Sequence, residues 1–87
     1  MSNHSGSYML NEIISLLNRE QVFDFWGKER TQRIVLEMLS RATREYDCNP
    51  GEVLEGHGAT LGLCYCCKSP ADNVVADLCQ KCRAPTN

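Results

Sequence analysis

The chain has 87 residues, a formal net charge of −2 and six cysteines. This length predicts a single domain with a small apolar core, which a metal ion or disulfides should reinforce. The slight acidity argues against a protein that grips nucleic acid mainly through phosphate contacts, because such proteins are usually basic.

The N-terminus shows no basic start followed by a long apolar run, and no segment is apolar enough to span a membrane. We therefore expect neither a secretory signal nor a transmembrane helix. We expect a cytoplasmic protein whose thiols stay reduced, and there a high cysteine content favours metal binding over disulfides.

The first third of the chain predicts one helix and an aromatic segment. Residues 1–7 are rich in Ser and Gly and are predicted to be flexible, with Ser7 as a candidate helix cap. Residues 8–18 repeat apolar side chains at the spacing of one helical face, which predicts a first helix. The rings of residues 22–26, two Phe and one Trp, are predicted to fill the core from a short helix or an extended turn.

The longest predicted helix runs from about Lys28 to Tyr46, and its apolar residues share one broad face. Four arginines lie on the opposite face: Arg30, Arg33, Arg41 and Arg44. This arginine stripe could bind an acidic protein or phosphate groups. The alternative is a solvated face stabilised by ion pairs, since Glu37 stands four residues from two of these arginines.

The sequence after this helix predicts a stop and a restart. Asn49 is a good N-cap, Pro50 a good first helical residue, and Glu52 occupies the capping-box position. A single helical turn should follow. Residues 56–63 include three glycines and are predicted to be a linker.

These elements predict a small α-rich fold. A helical hairpin over residues 8–55, suited to interaction or dimerisation, should precede a four-cysteine zinc ribbon or knuckle over residues 64–87.

Two C-x2-C pairs in the C-terminal part predict a metal site. They are separated by eleven residues and comprise Cys64, Cys67, Cys79 and Cys82. Sulfurs at this spacing converge when the backbone turns tightly between them, and two facing turns give a closed tetrahedral site. We expect one structural Zn²⁺ there, because four thiolates leave no open position for catalysis. Within the spacer, residues 69–73 are predicted to turn and residues 74–76 to return as an extended segment.

Cys66 and His57 are the alternative ligands. Cys66 would form a C-x-C pair with Cys64, but Cys67 gives the spacing of the second pair. His57 is better explained as a linker residue. Cys48 is predicted to be a small buried apolar residue.

The cysteine motif resembles the short four-cysteine zinc fingers and ribbons of small adaptor proteins. It is similar in detail to the nuclear-pore-type finger, whose internal Asn and following Pro correspond to Asn73 and Pro85. Gly62 stands where that family has Trp, and the spacer is one residue longer. The resemblance covers only residues 64–87; it implies structural zinc and implies neither ubiquitin nor RNA binding. A helical segment joined to a zinc module also resembles small bacterial and phage regulators that bind sigma factors or RNA polymerase.

Together these features predict a small, non-enzymatic regulatory or adaptor protein that binds another protein and could form a homodimer. The alternative is a nucleic-acid-binding zinc finger, and a thiol redox protein that uses Cys66 is less favoured. We find no Ser-His-Asp set, P-loop or nucleotide fingerprint, so we expect no enzyme and no small-molecule substrate. Partner contacts are expected at Arg30, Arg33, Arg41, Arg44, Tyr65 and Lys68.

Overall fold

The computed structural model describes residues 3–83. The helices are α1 (His4–Arg19), α2 (Val22–Trp26), α3 (Lys28–Tyr46), α4 (Pro50–Val53), α5 (Gly58–Leu61) and α6 (Gln80–Arg83), and the strands are β1 (Leu63–Cys64) and β2 (Ser69–Pro70). The chain is thus rich in helix. None of the helices in this part of the chain is long and apolar enough to cross a membrane. The ends of the predicted segments 1–7 and 64–87, including Pro85, lie outside the described residues.

α1 begins at His4, earlier than its apolar pattern predicts. Asn3 caps the helix, since its side chain accepts a hydrogen bond from the Gly6 amide. Ser7, expected to be the cap, lies inside α1 and is fully buried. Its hydroxyl donates to the Asn3 carbonyl and accepts from the Asn49 amide. The prediction that Ser7 caps the helix is therefore wrong: residues 4–7 belong to α1, and a buried contact with the Asn49 amide places Ser7 inside its first turn.

α3 spans Lys28–Tyr46, as its periodicity predicts. The preceding α2 carries the three rings, but they do not share one environment. Phe23 packs on the core, and its ring centroid lies 5.9 Å from that of Trp26. Phe25 is 85% exposed. The prediction that all three rings fill the core is wrong for Phe25, because a five-residue helix turns only one face inward.

Asn49 caps α4 as predicted, and its side chain accepts from the amides of Gly51 and Glu52. The reciprocal half of the expected capping box does not form. The Asn49 amide donates to Ser7 instead, and Oε2 of Glu52 lies 2.6 Å from Nδ1 of His4. The start of α4 thus fixes the start of α1 through the Asn49 amide and the Glu52 carboxylate.

The core lies where α1 and α3 pack against the segment that follows α3. Its buried members are Ile14, Val35, Leu39, Ala42, Cys48, Val53, Leu54, Leu61 and Leu63. Cys48 is a buried apolar residue, as expected. Asn11 closes one edge, since its amide nitrogen donates to the carbonyls of Glu52, Val53 and Glu55.

The segment predicted to be a linker, residues 56–63, contains α5 and packs on this core. A Cβ at Gly58 would lie 2.7 Å from the Cα of Asp77, so only glycine fits there. Gly62 has a φ of +70° and ends α5 in the left-handed conformation. Gly58 thus meets a demand of packing, and Gly62 meets one of helix capping.

Candidate metal centre

The first cysteine pair lies at the tight turn between β1 and β2: Cys64 ends β1, and Cys67 lies in the turn. The two strands are antiparallel and place Cys64 opposite Ser69. Between them the Lys68 amide donates to the Cys64 carbonyl at 2.9 Å, and Lys68 has a φ of +55°. The reversal is therefore complete before Ser69. For this reason Ser69 and its neighbour form β2, although the sequence predicts a turn there.

The second pair lies at the start of α6. Cys79 directly precedes the helix, Cys82 lies within it, and the Arg83 amide donates to the Cys79 carbonyl at 2.9 Å. The approach to Cys79 is a second tight reversal, because residues 76 and 77 have φ values of +53° and +66°. The predicted extended return over residues 74–76 is therefore wrong at its last residue.

These two turns bring the four predicted ligands together. The sulfur atoms of Cys64, Cys67, Cys79 and Cys82 all lie within 4.8 Å of one another. The sulfurs of Cys67 and Cys79 are 3.8 Å apart. Sulfurs bound to one ion tetrahedrally at about 2.3 Å would be separated by about 3.8 Å. Both the donor set and the spacing therefore fit a single metal ion that favours thiolates.

The environment of the cluster stabilises negative charge on one sulfur. Burial tends to raise the pKa of Cys64, but backbone amides of Cys67, Cys79 and Cys66 donate to its sulfur and lower the pKa to about 6. Hydrogen bonds with Cys79 and Cys64 raise the pKa of Cys82, and desolvation of its sulfur raises that of Cys67. The surroundings therefore favour the thiolate of Cys64 over those of Cys67 and Cys82, and a divalent cation could replace the protons that the thiols of Cys67 and Cys82 keep.

The alternative ligands lie outside this cluster. Cys66 is exposed and belongs to no group of metal-ligand side chains among residues 3–83. Nε2 of His57 lies 2.9 Å from the hydroxyl oxygen of Ser15.

The residues predicted to contact a partner differ in accessibility. All four arginines of the arginine stripe are exposed, and Arg44 lies 3.7 Å from the Glu45 carboxylate. Lys68 is also exposed. Tyr65 is half-buried, packs against the core and approaches Gly51 of α4. Its ring therefore packs between the cysteine cluster and the helices.

Two residues that the sequence analysis does not single out, Asp77 and Arg83, hold the turns of the cysteine cluster in place. The Asp77 carboxylate accepts from the amides of Gly56 and Gly58, each at 2.9 Å. The Arg83 guanidinium donates to the carbonyls of Asn73 and Leu78 and ties the long spacer to α6. Both contacts join a side chain to distant backbone, which residue spacing does not reveal.

Comparison with protein families, with curated proteins and with solved structures finds no match for this chain. Function must therefore be argued from the chemistry of the cysteine cluster and of the surface around it.

Proposed function

We propose that this chain is a small zinc-binding regulatory or adaptor protein, cytoplasmic and non-enzymatic, that acts by binding another protein. The convergence of four sulfurs within 4.8 Å carries the zinc part of the proposal. A metal site with four thiolate ligands stabilises the fold and leaves no open coordination position for a substrate. In this view residues 8–55 act as a helical hairpin, and the C-terminal part acts as a zinc ribbon.

Native mass spectrometry before and after chelation tests the metal. We expect one zinc per chain for the wild-type protein and for Cys66→Ser. Cys79→Ser should lose the ion, because it removes one of the four thiolates, while serine at the exposed position 66 removes none. A chain that binds iron would refute zinc as the metal, and a Cys66→Ser variant that loses zinc would refute this ligand set.

The exposed arginine stripe supports an acidic protein surface as the partner. Guanidinium groups pair with carboxylates through two parallel hydrogen bonds, and such contacts are strong where water is excluded. The resemblance of the architecture to regulators of transcription suggests the transcription machinery as the first place to search.

A pull-down from the native source tests this contact. A variant with alanine at Arg30, Arg33, Arg41 and Arg44 should retain less than about a tenth of the partner, a loss of roughly 1.4 kcal/mol or more. Lys28→Ala with Lys81→Ala is the matched control, since both lysines are exposed outside the stripe. Equal loss in both variants would contradict a specific role for the stripe.

Nucleic-acid binding is the second candidate, and the same exposed arginines favour it. Phosphate contacts release counterions, so affinity for single-stranded or duplex probes should fall steeply with salt. Binding that is absent at low salt, or insensitive to salt, would exclude this candidate.

A further inference from the structure

Cys66 is an accessible thiol that the proposed zinc site does not use. All six cysteines of the chain lie among residues 3–83, and two of them stand outside the sulfur cluster. Cys48 is only 5% exposed and packs in the core, whereas Cys66 is exposed in the turn between Cys64 and Cys67. A thiol that neither a metal nor burial protects is open to dissolved oxidants.

The four ligands of the cluster differ in how well they are shielded. Cys64 is fully buried and Cys79 is 8% exposed, whereas Cys67 is exposed and Cys82 is half-buried. A thiol that approaches from outside the cluster therefore meets Cys67 or Cys82 before it meets the other two ligands.

Backbone geometry disfavours Cys67 as a disulfide partner of Cys66. The Cα atoms of consecutive residues lie about 3.8 Å apart, whereas a disulfide usually spans about 4.4–6.8 Å between its Cα atoms. A bridge between these two neighbours in the sequence would therefore be strained. Cys82 is the accessible ligand that remains.

The thiols of Cys66 and Cys82 are in contact. Hydrogen bonds with Cys79 and Cys64 are the main cause of the raised pKa of Cys82, and a hydrogen bond with Cys66 acts in the same direction. Cys82 lies in the four-residue helix α6, whereas Cys64 directly follows the core residue Leu63. Cys82 can therefore turn towards Cys66 with less disturbance of the core than Cys64 could.

We propose that Cys66 is an oxidation site, at which a peroxide joins Cys66 to Cys82 as a disulfide and so removes one ligand from the metal. In the first step a bond forms between the Cys66 sulfur and one peroxide oxygen while the O–O bond breaks, which gives a sulfenic acid and, from hydrogen peroxide, water. The Cys82 sulfur then leaves the metal and attacks the sulfenic sulfur, whose hydroxyl takes a proton and departs as a second water. Two electrons pass from the two sulfurs to one peroxide, and none comes from the metal.

This inference rests on the zinc part of the proposed function and adds a regulation of the same site. A cluster with three thiolates holds Zn²⁺ less tightly than one with four, so oxidation should release the ion together with the folding energy that it supplies. A thiol reductant and added zinc should restore the site, because the disulfide is reversible whereas higher oxidation of sulfur is not.

Peroxide treatment of the zinc-loaded full chain, followed with a chromogenic zinc chelator, tests the oxidation site. We expect the wild type to release one zinc per chain and Cys66→Ser to release it at least about tenfold more slowly, because only metal-bound thiols then remain accessible. Cys48→Ala is the matched control, since it removes the other unligated thiol. It should release zinc at the wild-type rate.

Peptide mapping identifies the disulfide in the same samples. Trypsin cleaves after Lys68 and Lys81, so Cys66, Cys79 and Cys82 fall on three different peptides. We expect the peptide that ends at Lys68 to be linked to the one that begins at Cys82, with fragmentation placing the bond at Cys66.

Zinc release from Cys66→Ser at the wild-type rate, equal slowing by Cys48→Ala, or a disulfide between other cysteines would each overturn the oxidation site. If far-UV circular dichroism shows that Cys66→Ser is unfolded, Cys66→Ala takes its place with the same expected slowing. An untreated chain that carries no zinc would overturn the zinc proposal instead, and the disulfide map then decides the pairing of Cys66 with Cys82 by itself.

Discussion

Asp77 is the residue that joins the metal-site loop to the helical core. Its two carboxylate oxygens accept from the amides of Gly56 and Gly58, one on each side of His57. Its own backbone is left-handed, and its carbonyl accepts from the Tyr65 amide at 3.1 Å. One residue therefore fixes the start of α5, the turn before Cys79 and the turn after Cys64.

Removal of this carboxylate should destabilise the protein without removing a ligand. We expect Asp77→Gly to lower the free energy of unfolding by about 2 kcal/mol, because two amides lose a charged acceptor, while glycine tolerates the backbone conformation. Asp77→Asn keeps one acceptor oxygen and should cost about half as much. Urea unfolding with saturating zinc measures both. If Asp77→Gly is as stable as the wild type, the carboxylate does not act as a clamp.

At the scale of elements, α5 depends on the glycine that ends it. Gly62 combines a left-handed φ with a crowded surrounding, because a Cβ there would lie 2.9 Å from Nε2 of Gln32. That nitrogen donates to the carbonyls of Leu61 and Gly62, so it fastens the end of α5 to α3. Gly56 has a similar φ of +80° but open space around it.

A pair of alanine substitutions separates these two effects. Gly56→Ala should cost about 1 kcal/mol through its left-handed backbone alone. Gly62→Ala should cost about 2 kcal/mol more, because it also displaces Gln32 from two hydrogen bonds. Thermal unfolding of the two variants provides the comparison. Equal decreases in stability for the two variants would show that Gln32 moves away from the added methyl group without destabilising the fold.

The elements that could be predicted from sequence are those whose information is local. The bounds of α3 follow from one long apolar period with Gly27 before it, and the Asn49 cap follows from residues next to it. Each C-x2-C pair likewise spans only four residues, so the spacing that brings its two sulfurs together can be read from the local sequence.

The features that the sequence does not predict depend on contacts between distant residues. Ser7 and Asn3 are both good caps, and only the amide of Asn49 decides that Ser7 becomes a buried bridge inside α1. Glycines in a linker and glycines at a close approach look alike in sequence, so the sequence does not reveal α5, whose Gly58 packs against Asp77. The aromatic ring of Phe25 predicts a core position, but α2 has only five residues and turns one face inward, which leaves Phe25 exposed.

At the scale of the whole molecule, the metal centre and the hydrophobic core share one strand. Leu63 and Cys64 are consecutive and both fully buried; Leu63 belongs to the core and Cys64 to the sulfur cluster. Tyr65 packs against the same core. Displacement of the first cysteine turn must therefore disturb the packing of the helices.

We expect removal of zinc to destabilise the entire fold. Chelation should lower the melting temperature by more than about 10 °C, because even 2 kcal/mol moves a domain of this size by roughly 8–16 °C. The helical signal in far-UV circular dichroism should be lost in one transition together with the Trp26 fluorescence change. A helical part that melts unchanged after chelation would contradict this coupling.

The junction of Leu63 and Cys64 also bears on how long the protein survives in a cell. Proteases degrade chains from their unfolded population, and a ligand that binds only the folded state reduces that population by mass action. A chain whose core closes around its own metal turn would therefore be degraded faster when zinc is scarce. Its abundance would follow the zinc supply of the cell, with no dedicated sensor required.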